Sequence, residues 1–159
     1  MRLTERITQD VTESLKQKDS FRVGVLRMVV AALQNAQIEK DTKAAKTGVP
    51  KDLLTDDEAL AILSREYKKR IESAAELEKG NRNDLARSER DEAVIIQAYL
   101  PAQMSESDLR VAVGKTLENL SSEEKAQWGK VMQALAKELK GKADMQQAGA
   151  IARAILGIS

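Results

Sequence analysis

The proline at position 101 constrains the fold of this chain more than any other single residue. A largely apolar run ends at Leu100, Pro101 follows, and Ser105 is the next residue suited to open a helix. Proline lacks the amide N–H that a continuing helix needs, and it disfavours helical geometry in the residue before it. A helix therefore ends at about Leu100, and the sequence predicts two domains, residues 1–100 and 101–159.

Apolar residues at helical spacing dominate both parts. Leu3, Ile7 and Val11 stand at every fourth position, and similar three- and four-residue spacing returns along the whole chain. Alternation with a period of two, which is typical of strands, is rare. The pattern predicts an all-α fold, in which an N-terminal helical domain of about four helices is followed by a small C-terminal helical bundle. The apolar fraction of 42% is sufficient for an ordinary globular core.

Capping residues and helix breakers give the predicted boundaries. Ser20 is predicted to cap the second helix, and Thr55 with Glu58 forms a capping box for the third. Residues 41–54 contain lysines, a glycine and a proline without helical periodicity. They are predicted to form a mobile basic loop, which would be long for a compact bundle. Gly141 suits the end of a helix in the C-terminal domain.

The chain contains neither cysteine nor histidine. Their absence excludes disulfide scaffolds, thiolate nucleophiles, Ser-His catalysis and metal sites built on imidazole or thiolate. Any chemistry would depend on carboxylates or amines. Whether the chain is an enzyme stays open, and no catalytic residue, cofactor or metal ligand is predicted. The acidic run Asp56-Asp57-Glu58 is interpreted as helix capping, because acidic side chains favour a helix N-terminus and neighbouring ones point in different directions.

The hydropathy and the overall charge indicate a cytoplasmic protein. No stretch approaches the about 18 consecutive apolar residues of a membrane helix, and the N-terminus lacks the apolar core of a signal peptide. Charged residues make up 32% of the chain, yet the net charge is only +1. This balance is typical of helical surfaces with many ion pairs and argues against a uniformly basic binder of nucleic acid. We expect no membrane contact and no DNA partner.

The last third of the chain has the clearest local positive excess, with five Lys and Arg against two Asp and Glu over residues 129–159. Lys130, Lys137 and Lys140 line one side of a predicted helix, and Lys142 follows in the turn. These four lysines are the candidate nucleic-acid-binding residues, as contacts to a phosphate backbone. Free N–H groups at the start of the following helix would assist an anion. Alternatively, the exposed lysines serve only solubility.

Two further features have competing interpretations. The densest basic cluster lies over residues 65–70, where it could hold phosphates. Glu66 precedes Arg70 by four residues, however, and the expected ion pair favours a solvated helix face.

Trp128 either stacks on a nucleic-acid base or closes a small core. The core interpretation is favoured, because the chain has only three other aromatic residues.

Five short motifs follow one another across nearly the whole chain. They are Leu26-Arg27-Met28, Ala31-Ala32-Leu33-Gln34-Asn35-Ala36-Gln37-Ile38-Glu39-Lys40, Tyr99-Leu100-Pro101-Ala102-Gln103, Gly129-Lys130-Val131-Met132 and Lys140-Gly141-Lys142-Ala143-Asp144. In order and spacing the sequence resembles the GatB/YqeY family, in its stand-alone YqeY-like form. Two regions depart from the family pattern: the 41–54 loop is longer than expected, and Trp128 stands where a smaller residue is more usual.

The resemblance also implies a function. In this family the part after the proline is similar to the tail domain of GatB, the tRNA-contacting part of a glutamine-dependent amidotransferase. It implies a non-catalytic accessory protein that binds tRNA, a tRNA-dependent amidotransferase or a synthetase. One alternative is a helical module for protein–protein interaction without RNA. Another is a component with glutamine-dependent carbon–nitrogen ligase activity, the label that the family inherits by association.

Overall fold

The computed structural model describes residues 1–139 and 141–158, and the all-α prediction is confirmed. The described residues form eight helices and contain no strand. The helices are α1 (Leu3–Lys16), α2 (Ser20–Thr47), α3 (Asp56–Lys79), α4 (Asn83–Gln97), α5 (Glu106–Glu118), α6 (Ser122–Lys125), α7 (Trp128–Leu139) and α8 (Met145–Leu156). The chain divides into two compact units, Met1–Leu100 and Pro101–Ser159.

The N-terminal unit is built from α1 to α4 around one apolar core. Helices α3 and α4 pack against each other extensively, as do α1 and α2. The core is closed by side chains from all four helices, of which the fully buried large ones are Ile7, Leu26, Val29, Leu63 and Ile96. Tyr99 is buried against the same core, and its hydroxyl donates to an Asp10 carboxylate oxygen. The run before Pro101 therefore packs inside the N-terminal unit.

The predicted loop over residues 41–54 is wrong in its first half, because α2 continues to Thr47 and ends at Gly48 in the left-handed conformation, with φ of 71°. Alanine and lysine, which are good helix formers, carry the helix through this stretch although its apolar periodicity has stopped. Gln37 and Asp41, one turn apart, also share a hydrogen bond of 2.9 Å. The start of α2 is shifted too, since Asp19 rather than Ser20 caps it by accepting from the Arg22 N–H.

Two polar side chains of α2 fasten the short connection that leads to α3. The Gln37 side-chain amide donates to the Asp52 carbonyl at 2.9 Å and accepts from the Leu54 N–H at 2.8 Å. The Lys40 ammonium donates to the Leu53 carbonyl at 3.0 Å and to Glu58 Oε2 at 2.8 Å. These bonds satisfy backbone groups that no helix or strand pairs, and they hold Leu54 in the core.

The C-terminal unit packs α5, α7 and α8 around a second, smaller core, with the single turn of α6 beside α7. Its central side chains are Leu109, Val113, Val131, Leu135 and Ala148. Trp128, which was predicted to close a small core, is half-buried and packs against this cluster. None of the helices in the described part of the chain combines the length and the hydropathy that a membrane crossing requires.

Candidate nucleic-acid interface

The candidate lysines lie on α7 and in the turn after it. Helix α7 buries Val131, Leu135 and Leu139 on one side. Lys130 and Lys137 are exposed, and because they stand seven residues apart they share the opposite side of the same helix. Lys142 is exposed in the turn between α7 and α8. Lys140, the fourth candidate, lies outside the described residues.

The exposed ammonium groups at this surface have no ion-pair partner within residues 1–139 and 141–158, where none of the salt bridges involves Lys130, Lys137 or Lys142. Lys130 does lie close enough to Glu124 to act on it electrostatically. Hydrogen bonds from Ser121 lower the pKa of the Glu124 carboxyl, and the charge of Lys130 lowers it further. The positive charge of Lys130 is thus partly offset by Glu124.

A backbone contact positions the turn that carries Lys142. Gly141 has a φ of 75°, a left-handed geometry that residues with a side chain rarely adopt. The turn closes through the Lys142 N–H, which donates to the Leu139 carbonyl at 2.9 Å, while the Lys142 carbonyl accepts from the Met104 N–H at 2.9 Å. The Gln103 side-chain amide donates to the Gly141 carbonyl at 3.3 Å. Two of the sequence motifs, one around Pro101 and one around Gly141, therefore meet.

The start of α8 does not present the free anion-binding end that the sequence suggested. The Asp144 carboxylate caps this helix and accepts from the Gln146 N–H at 2.7 Å. A negative side chain of the protein itself therefore occupies the electropositive end of the helix. Any phosphate contact at this surface depends on the lysine side chains instead.

A further cation of the C-terminal unit lies on α8. The Arg153 guanidinium is centred 4.8 Å from the Trp128 ring, a cation–π arrangement, and the arginine is exposed. Gly149 of α8 lies against α7, where a Cβ would make ordinary contacts, 3.4 Å from Met132 Sδ and 3.7 Å from Trp128 Cζ2. The sequence analysis missed Arg153 because it stands 25 residues from Trp128 (153 − 128), beyond any local pattern.

The basic cluster of the N-terminal unit is not a continuous solvated face. Arg70 is buried, and its Nε lies 2.9 Å from Glu92 Oε2 on α4, so the predicted pairing with Glu66 is wrong. One of its terminal nitrogens, Nη2, also donates to Met28 Sδ at 3.7 Å. The remaining members face outward, and Lys68 pairs with Glu72 at 3.9 Å. The cluster therefore offers fewer free cations than its sequence suggests.

Two of the acidic residues at the start of α3 accept hydrogen bonds from backbone N–H groups where helices begin. Thr55 and Glu58 form the predicted capping box, with the Thr55 hydroxyl accepting from the Glu58 N–H and the Glu58 carboxylate accepting from the Thr55 N–H. Asp56 Oδ1 accepts from the Leu3 N–H at 2.9 Å. In the part of the chain that the structure describes, no three carboxylates are arranged to hold a metal ion.

Comparison with known proteins places this architecture in a family. The sequence model described as Yqey-like protein matches residues 4–156. The chain is also similar to the protein named "Altered inheritance of mitochondria protein 41, mitochondrial" from Meyerozyma guilliermondii, with 32% identity over 95 residues. That match covers 59% of this chain and 44% of the relative, so the chain spans less than half of the length of this curated relative. The resemblance predicted from the five motifs is confirmed, and the chain belongs to the Yqey-like protein family.

Proposed function

We propose that this chain is a non-catalytic accessory protein that binds tRNA through the exposed cations of its C-terminal unit. The observation that supports it is the set of exposed ammonium groups on Lys130, Lys137 and Lys142, which have no salt-bridge partner among the described residues. The sequence places a fourth lysine, Lys140, between Lys137 and Lys142, and we assign it the same role.

The chemistry of these groups favours the nucleic-acid backbone over a base sequence. Lysine ammonium groups act as point charges towards phosphates, and such contacts supply affinity without reading sequence. The similarity of this part of the family to the tRNA-contacting tail of an amidotransferase subunit supports tRNA as the RNA. A tRNA-dependent amidotransferase or synthetase would then be the enzyme that shares the bound tRNA.

A titration against tRNA at several salt concentrations tests this proposal. The test variant carries Lys130→Glu, Lys137→Glu and Lys142→Glu. The control carries Lys43→Glu, Lys46→Glu and Lys51→Glu, which change the net charge equally at exposed positions of the N-terminal unit. Three lost phosphate contacts should reduce the slope of log affinity against log salt by about 2–3. Trp128 is the single tryptophan of the chain, so its fluorescence provides a second readout within the C-terminal unit.

The two variants must differ for the proposal to hold. We expect the test variant to lose most of its affinity at low salt, while the control variant keeps the affinity and the slope of the unmodified chain. Equal losses in both variants would show non-specific attraction by net charge. No binding of tRNA by the unmodified chain at low salt would exclude a tRNA-binding role altogether.

A further inference from the structure

The outer face of α2 carries a stripe of uncharged residues that are exposed in the described chain, although Arg70 Nη2 reaches Met28 Sδ at 3.7 Å. Its first six members are spaced alternately by three and four residues and are all exposed: Phe21, Gly24, Met28, Ala31, Asn35 and Ile38. The three large ones, Phe21, Met28 and Ile38, are 45%, 52% and 62% exposed. Thr42 and Ala45 continue the same spacing to the end of the helix. We refer to these positions as the α2 stripe.

The α2 stripe differs from an ordinary solvated helix face. Charged residues make up 32% of the chain, yet none of the stripe positions is charged. The opposite side of α2 is also apolar and forms the core through Val25, Leu26 and Leu33. A helix that is apolar on both sides is normally covered on both sides. The neighbouring helix α3 shows the contrast, since its exposed face is charged: Arg65, Lys68, Lys69, Glu72 and Glu76.

The spacing identifies the kind of partner. Alternating steps of three and four residues over more than three heptads are the a and d positions of a coiled coil, which pack against another helix of the same pattern. We propose that the α2 stripe binds the α2 stripe of a second copy of this chain, in an antiparallel homodimer. Such an interface is isologous, because the same surface is used by both copies.

The antiparallel register follows from size and charge. It places Phe21 opposite Ala45 of the second copy, Met28 opposite Ile38, Gly24 opposite Thr42 and Ala31 opposite Asn35. The largest side chain, Phe21, then meets the small Ala45, and no layer pairs two identical residues. A parallel register would instead stack Phe21 on Phe21 and Gly24 on Gly24, which leaves layers of very unequal volume.

The flanking residues are complementary in the same register. Arg27, which is exposed beside the stripe, lies opposite Asp41 of the second copy, and the two-fold symmetry repeats this pair. The side-chain amide of Gln37 already orients Asp41 through a bond of 2.9 Å. Gln34 lies opposite its own copy between the two pairs. Two pairs of opposite charges along one edge of the uncharged stripe favour a second copy over an unrelated partner.

Mass measurement in solution is the first test. Sedimentation equilibrium should give twice the chain mass of 17.5 kDa for the unmodified chain. Met28→Glu with Ile38→Glu should give a monomer, because each copy then brings two negative charges into the interface between the α2 stripes. The matched control is Val94→Glu with Val111→Glu, at apolar residues that are 62% and 57% exposed outside the stripe. The control should remain a dimer, and circular dichroism should show that both variants keep their helix content.

Cysteine pairs test the orientation, since the chain has no cysteine of its own. Met28→Cys with Ile38→Cys should form an intermolecular disulfide under mild oxidation. Met28→Cys alone should not, because the two copies of position 28 would lie about 15 Å apart along the helix axis. A disulfide requires the Cα atoms to lie within about 7 Å.

The outcomes that overturn the proposal are distinct. A monomeric unmodified chain at micromolar concentrations would exclude the dimer. A dimer that survives Met28→Glu with Ile38→Glu would place the interface elsewhere. Cross-linking by Met28→Cys alone would exclude the antiparallel register. None of these results depends on RNA, so the tRNA proposal is judged separately.

Discussion

The two units of this protein use their charged residues in different ways. In the N-terminal unit, basic side chains are engaged within the fold: Lys40 pairs with Glu58 at 2.8 Å, and Arg70 with Glu92 at 2.9 Å. In the C-terminal unit, over residues 101–139 and 141–158, a single ion pair is present, between Arg110 and Glu106. The first unit holds Lys40 and Arg70 in ion pairs between separate elements, whereas Lys130, Lys137 and Lys142 of the second unit form no ion pair among the described residues.

This difference in the pairing of charged residues indicates which kind of partner each unit suits. Besides these ion pairs, the N-terminal unit has an uncharged stripe on α2, which fits another apolar helix. The C-terminal unit buries its apolar residues in a small core and displays lysines, which fit an anion. Variants that remove one ion pair, one turn geometry or one charge at a time test whether the two units differ in this way.

The largest effect is expected from the buried ion pair of the N-terminal unit. Glu92→Leu leaves the Arg70 guanidinium buried without its carboxylate, and breaking such a pair costs about 3 kcal/mol of unfolding free energy. Glu72→Leu, which removes the exposed partner of Lys68, serves as the control and should leave the urea midpoint nearly unchanged.

A double variant separates charge from packing at this site. Arg70→Met with Glu92→Leu removes both charges and should recover most of the stability lost by Glu92→Leu alone. Urea unfolding followed by circular dichroism measures all three variants. If Glu92→Leu and Glu72→Leu lower the midpoint equally, the buried charge is not structural and the contrast between the units disappears.

The second effect concerns the turn that carries Lys142 in the C-terminal unit. Gly141→Ala should destabilise the chain by roughly 1 kcal/mol, because alanine resists the left-handed φ of 75°. Its Cβ would lie 3.9 Å from Pro101 Cγ, an ordinary contact, so the cost comes from the backbone. Gly114→Ala, inside α5 with no neighbour within 4 Å, should instead stabilise by about 1 kcal/mol.

Thermal unfolding compares these two glycine variants directly. Opposite shifts of the melting temperature are expected, downward for position 141 and upward for position 114. The same sign for both would mean that the turn around Gly141 is free to rearrange. In that case the position of Lys142 would not be fixed by the contact between Met104 and the turn.

Local sequence patterns predicted most of the helices, because apolar periodicity and capping act within one or two turns. The capping hydroxyls of Thr55, Ser105 and Ser121 all accept from an N–H three residues later, as their sequences indicate. The end of α2 was missed because its last two turns pack little apolar surface. Helix propensity carries them within the single chain, and it leaves no signal of a buried face.

The polar contacts between elements could not be predicted in this way. Arg70 prefers Glu92 on α4 to Glu66 on its own helix, since the packing of α3 on α4 decides which carboxylate it meets. Gln37 and Lys40 belong to a recognised motif, but their bonds to residues 52–54 require the fold. In the candidate site, helical spacing predicted that the lysines are exposed. It could not predict that the Arg153 guanidinium lies over the Trp128 ring.

The smallest effect is expected from the Lys40–Glu58 pair, whose contribution depends on pH. The Lys40 ammonium and the Thr55 N–H, both bonded to the carboxylate, lower the pKa of Glu58 from 4.5 to about 2. Above pH 4.5 the carboxylate is ionised in both the folded and the unfolded chain, so its stabilising contribution is complete. As the pH falls from 4.5 towards 2, the unfolded chain binds the proton first and the contribution is lost.

Lys40→Gln should therefore flatten the dependence of the urea midpoint on pH within this interval, because the pKa of Glu58 returns towards its ordinary value. Lys79→Gln, which removes the exposed partner of Glu76, is the control and should leave the dependence of the unmodified chain intact. Lys40 also bonds the Leu53 carbonyl at 3.0 Å, so its loss lowers the midpoint at neutral pH as well. A Lys40→Gln profile parallel to that of the unmodified chain between pH 4.5 and 2 would show that only the bond to the Leu53 carbonyl matters. The charge of the Lys40–Glu58 pair would then not stabilise the N-terminal unit, and the difference between the two units would rest on the ion pair of Arg70 with Glu92 alone.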